Sequence, residues 1–177
     1  MDLDLSPALS HLDLLAKPVA AALSDWPGGA GVEVAPIDPD LADTAAFCQH
    51  YGVPMEASAN CVVVAGRRGG ETSYAACLVT ALTRADVNGV VRRPLGARKA
   101  SFAPVDDVTA ATGMEYGGIT AIGLPDGWPI LIDAAVVAQP HVIIGSGIRG
   151  SKLWLPGLSL ATLPGAEVIE GLATPAG

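Results

Sequence analysis

The sequence is poor in the residues that build metal centres and disulfide frameworks. It has three cysteines, Cys48, Cys61 and Cys77, and no C-x-x-C pair. That spacing indicates neither a zinc site nor a redox couple. Cys61 and Cys77 stand in apolar, strand-like runs and read as small buried hydrophobes. The three histidines, His11, His50 and His141, lie at no metal-ligand spacing, so a metal enzyme is not expected. Charge is sparse too: 16% of residues are charged, against roughly 25% in ordinary soluble domains. Even so, no apolar run approaches the roughly 18–20 residues that span a bilayer. The opening MDLDLSPALS carries acids where a signal peptide needs Lys or Arg. A soluble, cytoplasmic chain with no membrane partner and no cofactor is expected. No G-x-S-x-G surrounds Ser146, because residues 144 and 148 are isoleucine; this excludes a serine-hydrolase elbow there.

What remains is a hydrophobic, acidic chain. Half of its 177 residues are hydrophobic and its net charge is −8. The length suits one domain that buries about 70% of the surface its unfolded form exposes. The charge is uneven. Residues 1–66 hold nine acids and one base, whereas 67–152 hold nine bases and seven acids. Five bases crowd into 84–99: Arg84, Arg92, Arg93, Arg98 and Lys99. A solvated face explains such a run most simply; a local phosphate-contacting patch is the sharper alternative.

Spacing of Leu9, Leu12, Ala16, Val19 and Leu23 predicts a helix over 7–24, kinked or restarted at Pro18. A second helix is bounded by Asp38 as cap, Pro39 in its first turn and Gly52 as its stop. NCVVVAG (60–66) and TSYAACLVT (72–80) flank RRGGE and predict a hairpin. A short helix capped by Asp86, a strand over 99–103 and a helix over 104–112 stopped by Gly113 follow. After a glycine-rich loop, 114–127, come strands at 129–133, 141–145, 151–155 and 166–169. Brief helices are expected from Ala134 and near 158–163.

HVIIGSGIRG contains Gly145, Gly147 and Gly150 spaced as G-x-G-x-x-G. A dinucleotide loop leads into a long helix whose N-terminus holds the pyrophosphate. Here Pro156 and Gly157 follow within a few residues, so the glycines read as a tight turn between two strands.

Five segments in order resemble the YbaK/EbsC family of aminoacyl-tRNA deacylases, relatives of the editing domain of prolyl-tRNA synthetases. They are YGVPMEASANCVVVAG, LGARKASFAPVDDVTAATG, MEYGGITAIGL, PILID and GSGIRG. The resemblance covers about 40–170, leaving 1–39 as a helical arm packed on the domain and 171–177 as a tail. It implies an α+β fold: a mixed, partly open β-barrel of about six to seven strands flanked by helices. It implies hydrolysis of the ester joining a mischarged amino acid, cysteinyl or alanyl on proline tRNA, to the tRNA 3′ end. A tRNA synthetase is a further implied partner; the oligomeric state stays open.

Ester hydrolysis needs an attacking oxygen and donors for the developing oxyanion. Main-chain N–H groups of Gly117, Gly118 and Ile119 suit that role, since glycine permits close approach. At the matched positions Thr120 keeps a hydroxyl where the family usually has serine, and Ala121 replaces the usual proline. Asn60 stands where most members have lysine; it donates a hydrogen bond but carries no charge. Asp133 reads as a helix cap or an orienting group for the loop. Gly147 and Arg149 fall in the Gly-x-Arg-Gly turn, where Arg149 reaches a phosphate or pins the turn. Catalytic positions are thus expected at Gly117, Gly118 and Thr120, and substrate-binding ones at Asn60, Ile119, Ala121, Asp133, Gly147 and Arg149. Two alternatives remain: a non-catalytic module binding tRNA or an aminoacyl ligand, with Asn60 marking lost activity, or hydrolysis of small esters unrelated to tRNA.

Overall fold

Apolar spacing at 7–24 predicts a single helix, but the computed structural model, which describes residues 1–176, divides that stretch. Strand β1 (Ser6–Pro7) leads into two 3-10 turns, Ala8–Ser10 and Leu12–Leu14. Helix α1 runs only over Lys17–Asp25, with Pro18 in its first turn. Proline lacks the N–H that a continuing helix needs, so it starts α1 rather than kinking it. Leu9 and Leu12 stay exposed, while Val19 and Leu23 face the core. The arm is not purely helical. Its last residues form β2 (Glu33–Pro36), which pairs antiparallel with β1.

The second helix also starts later than expected. Asp38 caps a 3-10 turn over Pro39–Leu41, and α2 spans Thr44–Tyr51 with Asp43 as its cap. The Asp43 carboxylate accepts from the N–H groups of Ala45 and Ala46. Gly52 closes α2 with φ 63°, a conformation that glycine adopts without Cβ strain. The hairpin forms as β3 (Ala59–Arg68) and β4 (Glu71–Thr80), paired over ten residues each. Beyond it lie β5 (Thr83–Ala85), a π turn at Val87–Val91 capped by Asp86, β6 (Lys99–Phe102) and α3 (Val105–Thr112). The chain closes with β7 (Ile130–Asp133), α4 (Ala134–Val137), β8 (Val142–Gly145), β9 (Ser151–Leu155), β10 (Ala166–Ile169) and β11 (Ala173–Pro175).

The eleven strands among the described residues exceed the six or seven expected, because β1, β2, β5 and β11 are too short to show a period. They form sheets of four (β1-β2-β9-β8), five (β10-β7-β4-β3-β6) and two strands (β11-β5). The fold is mixed α+β, and its sheets do not close into a barrel. Strand β3 joins the two larger sheets. A bridge from Ser58, just before β3, to Ile143 places β8 near its start, whereas β6 pairs only with Val64–Arg67. Residues 60–62 therefore lie in a fork between β8 and β6. Within the stretch expected as a tail, Leu172 is fully buried and β11 pairs with β5.

The largest core cluster packs α1 against β8, β9 and β7 through Leu23, Ile144, Leu153 and Ile132. A second, around Cys77, Val64, Val91 and Leu172, lies under the π turn and β11. Cys77 is fully buried there, and burial pushes its thiol from 9.0 up to about 12. Its stabilising contribution is complete below pH 9 and disappears as pH rises from 9 toward 12, because the unfolded thiol ionises first. The slope from one such group reaches about 1.4 kcal/mol per pH unit. Between pH 9 and 11, Cys77→Ala is expected to lose stability less steeply than the wild type in denaturant titrations. Parallel slopes would refute that assignment.

Candidate active site

The fork at the start of β3 opens into a cleft of about 410 Å³. Its walls come from the first residues of α2, the start of β3, the 116–119 loop, the end of β8 and the start of β9. Asn60 and the twin-glycine loop share this cleft. The Thr44 hydroxyl donates to Asn60 Oδ1 at 2.7 Å, which fixes the amide orientation. That leaves the two N–H bonds of Nδ2 as donors.

Two glycine turns interlock to hold the loop. Gly147 N–H donates to the Gly118 carbonyl at 2.7 Å, and Glu115 N–H donates to the Gly147 carbonyl at 2.9 Å. A Cβ on Gly118 would sit 2.5 Å from the Ile148 main chain; one on Gly145 would sit 2.5 Å from the Gly118 oxygen. The G-x-G-x-x-G spacing thus serves close packing of two turns. It joins β8 to β9 as an antiparallel pair and leads into no helix. Arg149 clamps the assembly. Its guanidinium donates to the carbonyls of Tyr116 and Pro39, and its main-chain N–H donates to the Glu115 carboxylate at 2.8 Å.

The expected site residues separate into two groups. Asn60, Gly117, Ile119 and Arg149 line the cleft. Among the described residues the N–H groups of Gly117 and Ile119 make no main-chain hydrogen bond, whereas Gly118 N–H is bound to the Glu115 carbonyl at 2.9 Å. Gly118 and Gly147 lie behind the wall as packing and turn residues. Thr120 is fully buried away from the cleft, and its hydroxyl has no partner among the described residues. Ala121 faces a different, apolar hollow beside Trp26 and Trp128. Asp133 caps α4 by accepting from Ala135 N–H, and its other oxygen accepts from Ala173 N–H. One bond thus caps α4 and the other holds β11. No cluster of His, Cys, Asp or Glu among the described residues could hold a metal ion. No described helix is long and apolar enough to cross a membrane.

Several cleft residues were not anticipated, among them Asp43, Thr44 and Lys152. Lys152, on β9, is only 8% exposed, yet it lines the cleft. Its ammonium lies 3.4 Å from the Ala42 carbonyl and 3.5 Å from that of Gly117, and 5.5 Å from the centre of the Phe47 ring. Both hydrogen bonds are long for N–H···O contacts. Burial pushes this ammonium below the ordinary lysine range, and Arg149 adds to that. Cys48 and Asp43 pull the other way. A desolvated cation with weak partners is a strong donor for any oxygen that acquires negative charge beside it.

Residues 38–163 match the aminoacyl-tRNA editing domain family. The chain belongs to that family. No curated protein matches the sequence. Solved structures share the fold of this editing domain at low identity. One is described as a candidate trans-editing enzyme for prolyl tRNA synthetase. It is 22% identical, with a TM-score of 0.73 over 88% of this chain and 94% of that one. A hypothetical protein, 18% identical, aligns with a TM-score of 0.76 over 89% of this chain and the whole of its own.

Seen as an editing domain, the cleft has its ammonium on an unexpected wall. The resemblance implies lysine at position 60; here that wall carries a neutral amide, and the cation enters from β9. The sequence held one signal for this. Lys152 is the only charged residue within SKLWL, and a lysine inside a buried strand needs a polar neighbour.

Proposed function

We propose that this editing domain hydrolyses, in trans, the ester linking a mischarged amino acid to the 3′-terminal ribose of tRNA. The observation that carries this reading is that Asn60, Gly117, Ile119 and Lys152 line one small cleft, with no main-chain hydrogen bond to the N–H groups of Gly117 and Ile119 among the described residues. Water adds to the ester carbonyl and the carbonyl oxygen takes on negative charge. The C–O bond to ribose then breaks, and the proton from water passes to the ribose oxygen. Donors set around the developing oxyanion lower the barrier of the first step, most of all where water is excluded. An aminoacyl ester is reactive enough that a side-chain nucleophile is not required. Its volume suits a small side chain such as cysteinyl or alanyl together with part of the terminal nucleoside.

Incubating the purified chain with a panel of mischarged tRNAs tests the reading. Release of amino acid from a cysteinyl or alanyl ester above the spontaneous rate is expected. Spontaneous rates across the whole panel would overturn it. The neutral Asn60 favours a second reading, a module that binds the charged 3′ end without cleaving it. Tight binding of an aminoacyl-adenosine analogue without turnover would select that one.

A further inference from the structure

Segment 67–99 holds seven of the ten basic residues but two of the eighteen acids. The rest of the chain is strongly acidic, so a polyanion meets attraction at this segment rather than the repulsion it meets over most of the chain. The fold gathers four of these charges at the far end of the β3–β4 hairpin. Arg67 pairs directly across the sheet with Lys99, an arrangement that costs stability through like-charge repulsion. Arg67, Arg68, Arg98 and Lys99 border one groove of about 440 Å³ that contains no carboxylate. Side-chain partners of neighbouring cations are neutral: Arg68 donates to the Gly96 carbonyl, and Arg92 to that of Arg98.

The geometry links this groove to the cleft. Strand β3 runs from Asn60 in the cleft to Arg68 at the groove. Eight residues separate the first from the last, a span of about 26 Å. Midway, Phe102 pairs with Val64 on the edge strand β6. Its ring is 41% exposed, and the Arg84 guanidinium lies over it, 5.4 Å from the centroid. An exposed ring beside a guanidinium is a stacking platform for a nucleobase.

We propose that this edge of the sheet, from the groove along β6 past Phe102, docks the acceptor end of the tRNA. Duplex phosphates lie against Arg67, Arg68, Arg98 and Lys99, and an unpaired base stacks on Phe102 as the 3′ end runs toward Asn60. This deepens the deacylase reading and rests on it for the direction of the strand. The test measures binding of an uncharged tRNA transcript by fluorescence anisotropy between about 50 and 200 mM salt. The double variant Arg67→Glu, Lys99→Glu is expected to bind at least about tenfold more weakly and to lower the salt slope by about two. Both residues are outside the cleft, so hydrolysis of aminoacyl-adenosine should stay at the wild-type rate. Phe102→Ala is expected to weaken binding of the intact transcript but not of one lacking its unpaired 3′ end. Unchanged transcript affinity in the double variant overturns the proposal. So does wild-type binding to anionic phospholipid vesicles without binding to tRNA. The two readings fail separately. Patch-dependent tRNA binding without ester hydrolysis sinks the deacylase alone, and hydrolysis of aminoacyl-adenosine without patch-dependent tRNA binding sinks the docking surface alone.

Discussion

Replacing Lys152 with methionine is expected to reduce ester hydrolysis about 10²–10³-fold and to leave the protein at least as stable as the wild type. The first effect follows from the position of the ammonium, which lines the cleft beside the Gly117 carbonyl. Loss of one preorganised donor to an oxyanion costs rate on that scale. The second follows from its environment. Burial is the largest cause of its lowered pKa, so the fold disfavours the charged form. That penalty is complete at pH values below the depressed folded pKa and fades as pH rises to the unfolded value of 10.5. Methionine keeps most of the stem and removes the charge, so stability at neutral pH should hold or rise by about 1 kcal/mol. Hydrolysis, corrected for spontaneous loss, should fall at high pH earlier than an ordinary lysine would dictate, since only the protonated form donates charge. The double variant Lys152→Met, Asn60→Lys returns an ammonium to the same cleft from the β3 wall and should recover part of the lost rate. Melting temperature together with kcat/KM decides the matter. A methionine variant that melts lower and retains full activity would make Lys152 a structural residue only.

The hairpin, the glycine stops of α2 and α3 and the strand character of 141–145 and 151–155 were legible because local chemistry fixes them. β-branched runs, turn glycines and caps act within a few residues. Other elements depend on distant partners. EVAP becomes β2 only because β9 lies beside it, and TRA and ATP become β5 and β11 only by pairing with each other. Apolar period misled at 7–16, since Leu9 and Leu12 repeat at helical spacing but have no core to face. The site divides in the same way. Glycine-rich turns announce close approach, so the 117–119 loop was visible. Asn60 was visible as a departure from the family's lysine. Lys152 stood out only as a lone charge in SKLWL; its place in the cleft was not legible, because β9 lies between β2 and β8 and the fate of its side chain depends on the carbonyls of Ala42 and Gly117, far away in sequence. Four of its five residues are buried, so strand alternation does not show which way the lysine faces.

Gly118→Ala is expected to destabilise the fold by about 1–3 kcal/mol and to lower activity about 100-fold. The added Cβ would lie 2.5 Å from the carbonyl carbon and oxygen of Ile148 and 2.6 Å from its nitrogen. These are main-chain atoms, tied through Ser146, whose hydroxyl bonds to the Ser151 hydroxyl and carbonyl. No side chain can rotate away, so one turn must retreat from the other. Overpacking of this kind costs stability on the stated scale. It also strikes the cleft directly. Gly118 accepts from Gly147 N–H and stands between Gly117 and Ile119, whose N–H groups make no main-chain hydrogen bond among the described residues. Displacing such donors by about an ångström costs about 100-fold in rate even when every group is still present. Gly31→Ala is the matched control: its Cβ would meet nothing within 4 Å, and its φ is not in the positive range. It should melt and react like the wild type. If Gly118→Ala does the same, the two turns are not in contact as described, and the loop cannot owe its shape to the glycines of the β8–β9 turn.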